Sequence, residues 1–250
     1  MNTIMIIGTA GSGKSTLTYT LSQWFEDNGK YVGTLNLDPG VRWLPYNPDI
    51  DIRDYIDFEK IMVQYELGPN GALIAAVDMM INYLKNIRSE IKGLDCEYLI
   101  IDTPGQMELF AFRTVGPNII SKISEENIVI LFLIDALFTN KASDFASALL
   151  LATSIQYRFI KPQINVISKS DLISPQRRSK IEEWIEDLEN LRMDIMMEEE
   201  IIRSEIGKKL VDTIKEEMLT DTIFLSSLTN EGGDALLGLI ERILGTTIIE

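Results

Sequence analysis

The chain has 250 residues and a formal net charge of −15, with 46% hydrophobic and 24% charged residues, no histidine and one cysteine, Cys96. The length suits one α/β domain with room for an insertion, and the acidity argues against nucleic-acid and anionic-membrane surfaces. Disulfide frameworks, Cys/His zinc sites and histidine triads are excluded, so chemistry falls to Lys, Ser/Thr, Asp/Glu, backbone groups and a hard cation.

Residues from Met1 to Gly8 read as a strand with no leader before it, and the longest apolar run, Ile128 to Ile134, is too short to span a bilayer. A cytoplasmic chain is expected. Short apolar runs predict strands at Ile4 to Ile7, Tyr31 to Leu37, Tyr98 to Ile101, Ile128 to Ile134, Gln163 to Ile167 and Thr222 to Leu225. Cys96 reads as a small residue at the edge of the third of these. Helical spacing appears at Leu17, Leu21, Trp24 and Phe25 ahead of an Asn28-Gly29 stop, and from Leu73 through Ile91. The alternation predicts a doubly wound, mostly parallel sheet. From Ser174 to Leu219 the rhythm breaks into charged helical periods: Ile181, Trp184, Ile185, Leu188 and Leu191, then Ile195, Ile202, Ile206, Leu210 and Ile214. This predicts one domain over 1–250 with a helical insertion at about 174–219. Met193, Met196 and Met197 are expected to pack between helices, with an adaptable surface for protein clients as the alternative.

The stretch GTAGSGKS, Gly8 to Ser15, fits G-x-x-x-x-G-K-[ST] between a strand and a helix. Its backbone N–H groups, with Gly11, Ser12, Gly13, Ser15 and Thr16 as the nucleotide-binding set, would wrap a phosphate chain at the helix N-terminus. Lys14 would reach the β- and γ-phosphates and Ser15 would ligate Mg²⁺. In LIIDTPGQ a strand ends in Asp102, placed to hold Mg²⁺ through a water, and the Gly105 N–H is placed to meet a γ-phosphate. In VISKSDL, Asp171 can accept from both the ring N–H and the exocyclic amine of guanine, whereas adenine presents a lone pair there; the stem of Lys169 would lie along base and ribose. Alone, the same residues could open a helix capped at Ser174-Pro175. The last strand ends in Ser226, Ser227 and Leu228, whose N–H groups would address the guanine carbonyl. Gly68-Pro69-Asn70-Gly71 is turn chemistry when taken alone, a projecting loop ahead of a helix beginning near Ala72, and the Asn70 amide both donates and accepts.

The ordered set, Gly8 to Ser15, Asp102 to Gln106, Lys169 with Asp171, and Ser226 onward, with Gly68-Pro69-Asn70 between, resembles the GPN-loop GTPases along the whole chain. These are P-loop GTPases in the broad class of signal-recognition-particle and MinD-type proteins. The resemblance implies a Mg²⁺-dependent GTP-to-GDP switch of archaeal, homodimeric type. It also implies that Asn70 of one subunit completes the partner's phosphate site, in the manner of an arginine finger. In eukaryotic relatives it implies roles in assembling or transporting complexes such as RNA polymerase. It makes Asp38, in LNLDPG, the first candidate to position the attacking water or to hold Mg²⁺ through a water. The alternative is an Asp that merely opens a Pro-Gly turn. Gln106 is the second candidate, because its place after DTPG resembles the glutamine of Ras-like proteins. Two departures stand out: Ser168 replaces the usual Asn, and Ser226-Ser227-Leu228 replaces S-A-K. A serine there is expected to lose a bond to the base and its tie to the phosphate loop, costing about 1 kcal/mol. A MinD-type ATPase, a small-molecule kinase and a nucleotide-binding scaffold are the competing readings.

Overall fold

The computed structural model describes residues 1–123, 127–198, 209 and 221–246. Period-two burial shapes its sheet. In Asn2–Gly8 (β1), Ile4 and Ile6 enter one apolar layer while Met5 and Ile7 enter the other. Ile128–Asp135 (β5) divides likewise, with Val129, Leu131 and Leu133 on the first side and Ile128, Ile130, Phe132 and Ile134 on the second. Strands covered on both faces belong in a parallel sheet. With Val32–Asn36 (β2), Ile50–Asp51 (β3), Tyr98–Asp102 (β4), Gln163–Ser168 (β6) and Thr222–Leu225 (β7), they pair in the order β3-β2-β4-β1-β5-β6-β7. Every pairing is parallel.

One face is covered by Lys14–Asp27 (α1) through Leu17, Leu21 and Phe25, together with a C-terminal helix over Gly233–Thr246 that buries Leu236, Ile240 and Leu244. Phe58–Gln64 (α2), Pro69–Gly93 (α3), Met107–Ala111 (α4), Val115–Ile123 (α5) and Ala142–Phe159 (α6) lie over the other. The expected charged stretch opens as two helices, Pro175–Glu186 (α7) and Leu188–Met197 (α8); numbering in chain order makes Gly233–Thr246 α9. Trp184, 2% exposed, stacks at 5.6 Å on Phe145 and donates from Nε1 to Asp194 Oδ2 at 2.6 Å, which fastens α7 to α6 and α8. Truncating it to Ala would cost roughly 3–5 kcal/mol. The predicted periods at Ile202, Ile206, Leu210 and Ile214 lie outside the described residues.

Two expectations change, and the segment after Asp38, for which the sequence offered no element, carries β3, a 3-10 turn over Ile52–Asp54 and α2. The helix expected near Ala72 starts at Pro69, with Gly68 as its N-cap, so Pro69-Asn70-Gly71 forms a first helical turn and not a loop. Proline is favoured at that position because its missing N–H would have no intrahelical partner. Met193, Met196 and Met197 are exposed by 48%, 52% and 79%, so interhelical packing is not their use among the described residues; Leu191 and Ile195 take the buried positions of α8.

Parallel pairing brings the carboxyl ends of the strands to one edge. Asn36 stands beside Asp102, and Asp135 beside Ser168. Such an edge is where doubly wound sheets bind ligands.

Candidate nucleotide site

The phosphate loop leaves β1 and doubles back over its own strand end. A Cβ on Gly8 would sit 2.6 Å from Ser12 Oγ and 2.9 Å from Leu133, so only glycine fits there. Gly13, at φ 95°, takes the left-handed conformation that starts α1. Lys14 is 6% exposed, and its Nζ donates to the carbonyls of Gly8 and Thr9 at 3.0 Å each. Burial holds its pKa below the usual lysine range, against the upward pull of Asp102, Asp38 and Glu108.

Asp102 ends β4 at 1% exposure. Its Oδ2 accepts from the Tyr46 hydroxyl at 3.0 Å, and its Oδ1 is buried with no hydrogen-bond partner. Burial pushes its pKa up to about 6, although the Ser15 and Tyr46 hydroxyls and Lys14 favour the anion. An orphaned carboxylate oxygen near the Ser15 hydroxyl fits a hydrated Mg²⁺, which keeps waters and takes few protein ligands.

Asp38 stands between the two loops. Its backbone N–H donates to Asn36 Oδ1 at 2.9 Å and its carbonyl accepts from Asn36 Nδ2 at 3.2 Å. The carboxylate accepts from Gly40 N–H and from Gly105 N–H, both at 2.9 Å. The Gly40 bond is the turn-opening role weighed as the alternative. The Gly105 bond, across 67 residues, is more than turn chemistry, and it engages the N–H expected to meet a γ-phosphate. Thr103 Oγ1 donates to the Ile6 carbonyl at 2.7 Å, pinning the start of that second loop to β1. Gln106 is half-buried at the start of α4 and lines a cavity of about 410 Å³ with Thr9, Ala10 and Glu108.

A second cavity of about 310 Å³ is lined by Ser12, Gly13, Thr16, Ser168, Lys169, Asp171, Ser227 and Leu228, so phosphate-loop and base motifs share one pocket. Asp171 sits exposed in the 3-10 turn Ser170–Leu172. Ser174 does cap α7, accepting from Arg177 N–H at 3.2 Å, so the stretch both lines the pocket and opens a helix. Lys169, in the left-handed conformation at φ 60°, is anchored by Asp135 Oδ2 at 2.5 Å. The expected loss at Ser168 is half corrected. Its hydroxyl donates to the Ser12 carbonyl at 2.9 Å, so the tie to the phosphate loop survives the change from Asn. Ser226 departs from expectation: its N–H donates to the Glu231 carbonyl at 3.1 Å, leaving Ser227 and Leu228 to face the pocket. Glu231 in turn accepts from Ser170 Oγ at 2.9 Å and pairs with Arg178, joining both base loops to α7.

Asn70 is exposed at the head of α3. One turn on, Leu73 Cδ1 is 3.4 Å from where a Gly40 Cβ would stand, which places this helix start beside the Asp38 loop. Sequence reasoning missed Tyr46, Asp135 and Glu231, whose bonds span 56, 34 and 61 residues, and also Asn36, which stands two residues before Asp38 and holds its backbone. Cys96 is half-buried and unpaired, its thiol pKa raised by burial, as suits a packing residue.

A parallel sheet that brings a G-x-x-x-x-G-K-S loop, the buried strand-end Asp102 and the exposed Asp171 to one edge is the fold of a P-loop nucleoside triphosphatase. A family model described as "Conserved hypothetical ATP binding protein" matches residues 6–246. Over 236 residues the chain is 31% identical to GPN-loop GTPase PAB0955 of Pyrococcus abyssi, covering 93% of each. It is 37% identical over 223 residues to GPN-loop GTPase 2 of Saccharomyces cerevisiae, covering 85% of this chain and 64% of that one. The crystal structure of PAB0955, a GTPase in apo form, superposes with a TM-score of 0.86 at 30% identity over 97% of both chains. The chain belongs to the GPN-loop GTPases.

Proposed function

We propose that the chain binds GTP and hydrolyses it to GDP and phosphate with Mg²⁺, as a cytoplasmic homodimeric switch. The observation that carries this reading is the pocket that Ser12, Gly13 and Thr16 of the phosphate loop share with Lys169 and Asp171, next to a loop whose Lys14 is buried within the field of Asp102. Lys14 and the N–H groups from Gly11 to Thr16 bind the phosphates, Ser15 holds Mg²⁺, and Asp102 holds it through a water. Mg²⁺ neutralises charge that develops on the phosphates. Asp38 orients the attacking water, with Gln106 as its understudy. Asp171 accepts from guanine, Lys169 lies along it, and Ser227 and Leu228 address its carbonyl. No helix among the described residues is long and apolar enough to cross a membrane.

Asn70 acts on the partner subunit's phosphates. Its exposed place at the catalytic edge supports this, as do Trp43, Val63 and Tyr65, exposed by 75%, 80% and 50% on the Asp38 loop and α2. The exposed methionines of α8 offer an adaptable surface to protein clients.

Phosphate release from GTP and from ATP, each with and without Mg²⁺, tests the reading. Turnover specific for GTP and lost on chelation supports it; equal use of ATP returns the ATPase, and tight binding without turnover the scaffold. Asn70→Ala should leave GTP affinity within a few fold and lower turnover roughly ten- to a thousandfold. Mixed with a Lys14→Ala subunit it should regain activity, since the intact phosphate loop then receives Asn70 from its partner. Mixed dimers as inactive as the parents would put Asn70 in its own site or in none.

A further inference from the structure

Tyr46 lies in the segment between β2 and β3, 56 residues before Asp102, yet its side chain ends there. Both flanks of that segment are stitched down. On one side Asp38 bonds Gly40 and Gly105; on the other Asp49 Oδ2 accepts from Thr34 N–H at 2.8 Å and from Thr34 Oγ1 at 2.9 Å, and Asp49 N–H returns to the Thr34 carbonyl at 3.1 Å. Tyr46 is thus held from both ends and is 9% exposed. A buried tyrosine hydroxyl needs an acceptor, and leaving it unpaired costs about 1–3 kcal/mol. Any carbonyl would satisfy that need. Here the acceptor is one oxygen of a 1% exposed carboxylate whose other oxygen makes no hydrogen bond, although the Ser15 hydroxyl stands close enough to the carboxylate to favour its charged form.

We propose that Tyr46 is a positioning residue for magnesium: by taking Asp102 Oδ2 it fixes the carboxylate so that Oδ1 alone addresses a water of the ion held at Ser15. This rests on the Mg²⁺ reading of Ser15 and Asp102 given above. Tyr46 touches neither ion nor nucleotide; it acts through Asp102 as an outer-shell donor acts through a ligand. The same contact joins the segment that carries Asp38 to the carboxylate of the metal, so the water-orienting acid and the ion are set by one piece of chain.

The test is Tyr46→Phe, which removes one hydroxyl and keeps the ring. Affinity for a fluorescent non-hydrolysable GTP analogue is measured in chelator and across a Mg²⁺ titration, and bound Mn²⁺ is followed by electron paramagnetic resonance. In chelator the variant should bind the analogue within about twofold of wild type. Its Mg²⁺ half-saturation should rise about ten- to a hundredfold, the usual cost of losing an outer-shell partner, with a matching loss of bound Mn²⁺ signal. In an Asp102→Asn background the same substitution should add less than about twofold, because the two act as a unit. Equal Mg²⁺ half-saturation in wild type and variant overturns the proposal, as does an equal loss of affinity in chelator, which marks Tyr46 as a packing residue. A wild-type protein whose binding ignores Mg²⁺ and Mn²⁺ overturns the magnesium reading itself, and this proposal with it.

Discussion

The phosphate-loop side of the candidate site and its Asp171 side differ in how their polar groups are engaged. At the phosphate end the reactive groups are already engaged with the protein: Lys14 with the carbonyls of Gly8 and Thr9, Asp38 with Gly105 N–H, Asp102 with Tyr46. On the Asp171 side the bonds are Ser168 on Ser12 and Lys169 on Asp135, while Asp171, the proposed guanine acceptor, stands exposed. On the proposed reading a phosphate chain would exchange partners with the loops, a γ-phosphate at Gly105 N–H would meet Asp38 there, and a base would find Asp171 without such an exchange. Substitutions at the first end should change turnover, and those at the second should change which nucleotide is chosen.

The comparison breaks most visibly at Lys14. Lys14→Ala should abolish turnover and weaken triphosphate binding, since the β- and γ-phosphates lose their buried cation; phosphate release from the purified variant checks it, and wild-type hydrolysis would remove the loop from the site. Asp38→Ala should keep nucleotide binding and lower hydrolysis by a factor on the order of a hundred or more, read in single-turnover assays. A rate near wild type would pass the role to Gln106.

A smaller effect follows from the buried acid. The folded pKa of Asp102, about 6, lies above its ordinary 3.8, so folding favours the protonated form. As pH rises through that window the native state must accept a buried charge and loses stability relative to a neutral side chain. Without nucleotide or Mg²⁺, Asp102→Asn should match wild type near pH 4 and exceed it well above pH 6 by on the order of 3 kcal/mol, measured by chemical denaturation. Equal stability at pH 8 would mean that the carboxylate is better solvated than its surroundings imply. Smallest is Ser168→Ala, which loses one hydrogen bond to the phosphate loop; GTP affinity should fall several-fold, about 1 kcal/mol, with the GTP to ATP ratio nearly kept.

Much of this architecture was legible in the chain because its signals are local. Six strands announced themselves as short apolar runs, and the phosphate loop, DTPG and SKSD each sit within a few residues at a strand end. Ile50–Asp51 was not legible, since two residues carry no periodicity. The start of α3 was read three residues late because Gly-Pro-Asn-Gly suits a turn as well as a first helical turn. What stayed hidden is the wiring. Asp38 to Gly105 spans 67 residues, Tyr46 to Asp102 spans 56, and Ser168 to Ser12 spans 156. Such bonds exist only once the parallel sheet has carried distant loops to one edge. Ser168 shows the consequence: judged by its neighbours it was a defect, and in three dimensions its shorter hydroxyl still reaches the phosphate loop.

The central claim, that an exposed carboxylate at the base end selects guanine independently of the phosphate machinery, is tested most directly by competition binding of GTP, ATP and xanthosine triphosphate to wild type and to Asp171→Asn. Wild type should prefer GTP over ATP by about ten- to a hundredfold, and the variant should transfer that preference to xanthosine triphosphate, whose added carbonyl accepts from the amide, with the affinity for its preferred nucleotide little changed. Equal binding of GTP and ATP by wild type, or the same order of preference in both proteins, would contradict it and leave Asp171 as part of the lead-in to α7.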